Sequence, residues 1–361
     1  MVVQSNPLVV QAKGEPEDID QGRVTAARPP ASRRPRRWRR RTTALASYLL
    51  MVFALITLNF MLPRAMPGDP IDGLLAQGSA GFSLGEQSRA SLQHYYGLNG
   101  SLASQYRHYL DRMIHGDLGR SIVTNTPVTG EIGRKLPWTL LLVATSILVA
   151  TLVGAVAGVQ SGWKRDRPAD RALMTGLITV WQFPAYLLAS IMLFVFAVKL
   201  HWLPSYGAQT SFSGSFSLIE KASDVGRHLV MPLVVLTVGL MAWNYLVMRS
   251  GMVNELGSDY LLLGRAKGLR PRRLKYRYAA RNALLPLVSS VAVDIGFAVA
   301  ANVFVERVFS YPGLGNLLFG SIGSRDYPMI QGVFLLLSLS IVTVNALADV
   351  AYRKLDPRTA V

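Results

Sequence analysis

Six long apolar runs, separated by polar and basic stretches, set the pattern of this chain. They are Thr43–Leu62, Trp138–Gln160, Ala172–Val198, Leu229–Val247, Ala283–Val305 and Met329–Ala351. A helix rises 1.5 Å per residue, so roughly 20 apolar residues cross a hydrocarbon core. Each run meets or approaches that length. Backbone polar groups in lipid must be satisfied within the segment, so the runs predict helices. A membrane barrel would instead show short alternating strands. Six such runs are too many for the buried helices of one soluble protein. The predicted fold class is therefore an all-α membrane protein with six transmembrane helices.

The first run also invites comparison with a cleaved leader, because basic residues precede it. The apolar core of a leader spans about 7–15 residues and ends at a small-x-small site. Here Asn59-Phe60-Met61-Leu62-Pro63 follows instead. The expectation is a retained anchor.

The polar segments add direction. Residues 1–43 are rich in Pro, Gly and Arg, and the stretch from Pro29 to Arg41 reads PPASRRPRRWRRR. It has too little apolar surface to offset chain entropy, which predicts a disordered basic tail. Placing that tail in the cytoplasm puts three more basic segments on the same side. They are the loop with Lys164, Arg165, Arg167 and Arg171, the block from Arg265 to Arg281, and the end with Arg353, Lys354 and Arg358. The positive-inside rule then gives both termini cytoplasmic. Residues 63–137 fall outside as an extracytoplasmic segment between the first two spans. Apolar spacing within it predicts helices over Gly85–Tyr96 and Ser104–Ile114, on the outer face of the membrane domain.

Composition sharpens this picture little. The 361 residues are 50% hydrophobic and 16% charged, below the roughly 25% charged of soluble domains. A net charge of +17 could suggest nucleic acid, but the basic residues come in blocks between apolar runs, as topology signals do. No nucleic-acid partner is expected. With no cysteine there is no disulfide framework and no thiolate metal site.

Catalytic chemistry is sparse. The nucleotide-binding pattern G-x-x-x-x-G-K-[ST] is absent, as are H-E-x-x-H and G-x-S-x-G. His108 and His115 stand seven apart and supply too few ligands for a metal. No catalytic residue and no metal site is assigned. Asp294 is the more informative residue, because an ionisable group inside a span is costly. The small residues Gly296, Ala298, Ala300 and Ala301 follow it and allow close helix packing. Asp294 either lines a translocation path, where it could attract a cationic solute, or pairs with a polar group on a neighbouring helix. Asn345 and Asp349 suit helix packing near the end of the last span. Pro184, after Gln182, predicts a kink.

The strongest local feature is the stretch 249–286. It is too polar to span and too apolar for an idle linker. Tyr260, Leu261, Leu263 and Leu269 give it an apolar face. Gly268 can take the positive φ that ends a helix, and Pro271 suits the start of the next. Two short helices at an angle follow, either as a plug for a partner's groove or as an amphipathic hairpin lying on lipid.

In this stretch Asp259-Tyr260, Arg265-Ala266-Lys267-Gly268-Leu269 and Arg281-Asn282-Ala283-Leu284-Leu285-Pro286 resemble the coupling loop of binding-protein-dependent ABC importer permeases. The similarity is greatest to the B-type permease of the dipeptide, oligopeptide and nickel group. Other segments agree, in the same order: Pro67-Gly68-Asp69-Pro70, Gly116-Asp117-Leu118-Gly119-Arg120-Ser121 and Leu136-Pro137-Trp138-Thr139-Leu140. Glu306 to Gly315, Arg325-Asp326-Tyr327-Pro328 and Leu355-Asp356-Pro357-Arg358 complete the set. Leu262-Leu263-Gly264 stands where the wider family has Glu-Ala-Ala.

The resemblance covers about residues 44–358 and implies the type I permease fold, with a coupling loop over 249–283. It implies that Asp259, Tyr260, Leu263, Arg265, Ala266, Lys267, Gly268 and Leu269 meet a partner ATPase. It further implies a second homologous permease, two ATP-binding subunits or one dual ATPase, an extracytoplasmic solute-binding protein and the bacterial inner membrane. ATP would be bound by the partners, with no cofactor on this chain. Peptides are the expected solute, with nickel chelates, glutathione or sugars as alternatives. A secondary carrier and an integral membrane enzyme fit less well, lacking an inverted repeat and a convergent acid–base cluster.

Overall fold

A computed structural model of the chain describes residues 37–65, 91, 100–211 and 215–355. Helices account for almost all of its regular structure. Among the described residues the only β feature is an isolated bridge between Arg120 and Pro127. Helix α1 covers Arg37–Arg64, α2 Leu102–Ile114 and α3 Val128–Trp163. Helix α4 (Pro168–Trp181) is followed by α5 (Ala185–Met192), which runs into a π-helical turn over Leu193–Lys199. Helix α6 spans Leu218–Glu255 and α7 Asp259–Ala266. A short turn at Pro271–Arg273 and a π-helical segment at Leu274–Ala279 lead into α8 (Ala280–Val308). Helices α9 (Leu314–Gly323) and α10 (Tyr327–Leu355) complete the chain.

Four of these helices, α1, α3, α6 and α10, are individually long and apolar enough to cross a membrane. Two bent pairs bring the number to six, in agreement with the six apolar runs. The first pair bends by 98° between Trp181 and Ala185, where Pro184 stands. Proline lacks the amide that would continue the ladder, so the predicted kink becomes a full break. The second pair bends by 57° between Val288 and Val293.

The helices reach further than the apolar runs. Helix α6 begins at Leu218 rather than Leu229 because Ser217 and Glu220 form a reciprocal capping box. Hydropathy registers only the part of a helix that faces lipid, whereas capping fixes where it starts. Helix α9 lies between the fifth and sixth apolar runs. Of the two helices expected in 63–137, Ser104–Ile114 corresponds to α2, and Gly85–Tyr96 lies outside the described residues but for Ser91. Helix α2 packs its Tyr106 and Tyr109 rings on Phe60 of α1. The tail 1–36 and the Pro67–Pro70 motif also lie outside the described residues.

The centre of the bundle is the parallel packing of α3 on α6. Gly154, Gly158 and Gly162 recur every fourth residue and face Asn244, Met248 and Met252 at the same spacing. A Cβ placed on Gly158 would lie 2.7 Å from Met248 Cβ, and one on Gly162 2.6 Å from Met252 Cβ. Such contacts are closer than side chains tolerate, so glycine sets the interhelical distance. Gly158→Leu is expected to separate the helices and cost about 1–3 kcal/mol. Urea unfolding in mixed micelles measures this, and wild-type stability would show that the stripe does not set the packing.

Candidate functional site

Asp294 lies on α8 with Asn244 of α6 opposite. Its carboxylate is 2% exposed and accepts a 2.8 Å hydrogen bond from Asn244 Nδ2. Ser290 Oγ donates to Asn244 Oδ1 at 3.3 Å, which fixes the amide's orientation. Among the described residues no cation pairs with Asp294. The residue also borders a groove of about 440 Å³ whose walls include Trp181, Phe183, Trp243 and Phe297. The Trp181 and Trp243 rings pack beside each other in its wall, with centroids 6.4 Å apart. Of the two sequence-based readings of Asp294, the bond to Asn244 is the polar pairing with a neighbouring helix, and the groove is a cavity beside it. Trp181 and Phe183 stand at the break beside Pro184 and form part of the groove wall. At Gly296, α8 faces α10, and an added Cβ would make ordinary contacts with Ile341 and Asn345. The side chain of Asp349 lies outside the described residues.

At one end of the bundle the chain folds back through α7. Gly268 has φ +71°, the left-handed conformation expected there, and Pro271 opens the next helical turn. The apolar face anticipated from sequence is divided by the fold. Leu261 is fully buried among Met252, Leu274 and Ala279, with Leu269 packed against them. Gly264 is held against Leu274, where a Cβ would lie 2.6 Å from Cδ2. Leu263 and its neighbour Leu262 point outward, 56% and 54% exposed. Helix α7 is short enough that one turn serves both roles, one side anchoring and the other displayed. Asp259, Arg265, Ala266 and Lys267 are exposed beside these leucines. Tyr260 bonds its hydroxyl to Glu255, and burial together with that carboxylate raises its pKa above the ordinary phenol value.

Three buried polar networks hold these parts, and sequence reading assigned none of them. Glu306 ends α8 fully buried and accepts hydrogen bonds from Thr139 Oγ1 at 2.7 Å and Asn302 Nδ2 at 2.6 Å. Its other oxygen accepts from the amides of Gly315 at 2.6 Å and Asn316 at 3.4 Å, the otherwise orphaned donors of α9. Two of the motifs that carried the resemblance thus meet at one carboxylate. Asp326 does similar work for α10. It accepts from the Ser121 hydroxyl, from the Ile122 amide at 3.1 Å and from the Met329 amide at 3.4 Å. In that same turn Asp117 receives Arg112 Nε at 3.0 Å and the Gly119 amide at 2.8 Å. The Arg112 guanidinium holds the Asp117 carboxyl below the usual carboxylate range. The third network joins α3, α4 and α6. Arg249 forks onto both oxygens of Asp170 at 2.8 and 2.6 Å, and Ser161 bonds the same carboxylate and Tyr245. A bidentate pair of this kind fixes geometry as well as charge.

Residues 150–361 match the family described as the inner membrane component of binding-protein-dependent transport systems. A Brucella ovis protein described as a peptide permease is 36% identical over 312 residues, 86% of this chain and 95% of its own. The glutathione transport system permease protein GsiC of Escherichia coli K12 is 34% identical over 306 residues, 85% of this chain and 94% of its own. Among solved structures, the inward-facing MetNI methionine ABC transporter superposes with a TM-score of 0.50 at 18% identity. That match covers 63% of this chain and 97% of the other, and it supports the fold. With six candidate spans, a Gly268 turn where the coupling loop was expected and relatives along nearly its whole length, the chain belongs to the binding-protein-dependent transport permeases, as a membrane subunit of an ABC importer.

Proposed function

We propose that this chain forms half of an import path for small peptides, glutathione among them. The observation carrying this reading is the groove at Asp294, a lone carboxylate among aromatic walls. Peptides and glutathione share a free α-ammonium group, which such a carboxylate attracts. The tryptophans add cation–π and stacking contacts. Relatives described as peptide and glutathione permeases support the same solute class.

In this reading the α7 end and both termini face the cytoplasm, in line with the basic loops. A second permease supplies the other half of the path. A solute-binding protein delivers cargo from the opposite side. Two ATPase domains bind and hydrolyse ATP, and this chain catalyses no reaction. The exposed Leu262 and Leu263, with Asp259, Arg265 and Lys267 around them, seat in a groove of one ATPase. Leu261, Gly264 and Leu269 transmit its movement inward to α6 and α8.

The test is uptake of labelled di- to pentapeptides and glutathione in a host lacking the chain, with and without its restoration. Restored uptake is expected. Asp294→Asn should lower it about tenfold for free-amine peptides, the equivalent of about 1.4 kcal/mol, and far less for N-acetylated ones. No restored uptake, with the protein present in the membrane, would move the solute to nickel chelates or sugars.

A further inference from the structure

We propose that the segment after Gly268 forms a binding groove for the headgroup of an anionic phospholipid. Arg270, Arg272, Arg273 and Arg277 line an open cavity of about 510 Å³ together with Tyr276. No acidic side chain borders it, and among the described residues none of the four arginines has a salt-bridge partner. Four unneutralised guanidinium groups around one concavity make a site for an anion with several oxygens, such as a phosphodiester.

The groove is built on a fixed floor. Lys275 is buried at its back, where it donates to Gln160 Oε1 at the end of α3. Gln160 Nε2 in turn donates to the Tyr276 hydroxyl at 2.5 Å. The π-helical turn at Leu274–Ala279 is thus tied to α3 through Lys275 and Tyr276, and Arg272, Arg273 and Arg277 beside it are exposed.

What lies next to the groove selects a lipid. Along α8, positions 281, 284, 285 and 288 follow one helix face at three- and four-residue steps, and Arg277 precedes them in the π-helical segment. Arg277 and Arg281 are exposed, and Leu284, Leu285 and Val288 beyond them are 39%, 67% and 54% exposed. Charge passes directly into apolar surface, as headgroup passes into acyl chain. Tyr276, 45% exposed, sits at the boundary where amphipathic rings collect. The candidate ATPase contact, residues 259–269, ends directly before the groove arginines. Basic pockets beside transmembrane helices are suited to acidic headgroups. The site would make the segment joining α7 to α8 responsive to the composition of the surrounding leaflet.

The experiment uses the full chain in phosphatidylcholine bilayers, with spin-labelled phosphatidylglycerol or phosphatidylcholine as probe. Wild-type protein should prefer the phosphatidylglycerol label. The preference should fall about fivefold for each arginine neutralised on the way to the groove triple R272Q/R273Q/R277Q. The corresponding lysine variants should retain most of it. R165Q/R167Q/R171Q removes equal charge from another basic loop and should leave it intact. Soluble glycerol phosphate should not compete, since it lacks the acyl chains that the apolar face holds. The proposal fails if the groove triple keeps the preference, or if both glutamine triples lose it equally. It also fails if glycerol phosphate displaces the label, or if the groove triple loses only copurification of the ATPase. Lipid selectivity is read without transport, so this outcome is independent of the solute assignment.

Discussion

Replacing Gly268 by tryptophan is expected to leave the chain folded in the membrane and the partner ATPases active, while solute uptake falls to background. The residue has φ +71°, so any side chain there adds strain of about 1–2 kcal/mol. A Cβ at this position would meet nothing within 4 Å in the chain itself. The bulk of an indole therefore has no internal clash to resolve and projects toward whatever docks on α7. Gly268→Ala carries the same backbone strain without the bulk and should retain most uptake. The pair separates strain from obstruction. ATPase activity and uptake are measured together on the reconstituted complex. Normal uptake by the tryptophan variant would remove residues 259–269 from the coupling role.

Glu306→Ala should be the most destabilising single change. It would leave the amides of Gly315 and Asn316, the Thr139 hydroxyl and the Asn302 amide without their buried acceptor. An unsatisfied buried donor costs about 1–3 kcal/mol, so even two that find no water amount to about 2–6 kcal/mol. The loss should concentrate at α9, whose first turn depends on this carboxylate. Glu306→Gln keeps one acceptor oxygen but turns amide hydrogens toward existing donors, so it should fall between alanine and wild type. Unfolding in mixed micelles gives the ranking. Wild-type stability for the alanine variant would mean that α9 is held by its apolar contacts alone.

Much of the fold was legible because it rests on local signals. Apolar length marked the six spans. Pro184 marked the break between α4 and α5. Gly268 and Pro271 marked the turn after α7. Asp294 was conspicuous because a charge stood alone in a span. The sequence was less informative where meaning depends on a distant partner. Glu306 looked like a residue just past a span, and its role needs Thr139, 167 positions away. Asp170 sat among basic residues that read as a topology signal, while its arginine lies 79 positions on. The Gly154, Gly158 and Gly162 stripe did carry a signal, a repeat of small residues at helical spacing. Such a repeat does not say which helix it packs on, and its partners Asn244, Met248 and Met252 lie about 90 positions away. The division of the α7 leucines had no sequence signal, since burial of Leu261 is decided by Leu274 across the turn.

The length of α6 has a mechanical consequence. Its 38 residues run from the capping box at Ser217 to Glu255, three residues before the cap of α7. At 1.5 Å per residue that is about 57 Å of helix, unbroken at its interior Pro232. The glycine stripe clamps α3 alongside it, so the two helices resist bending more than either would alone. A rod of that length turned by about 10° about one end sweeps the other through about 10 Å, by geometry from the same rise per residue. Under the proposed function, no relay of side-chain rearrangements is then needed between the proposed ATPase contact and the far end of α6. A small tilt imposed at α7 is magnified by leverage, and the bends near Pro184 and between Val288 and Val293 supply the joints that let the surrounding helices follow.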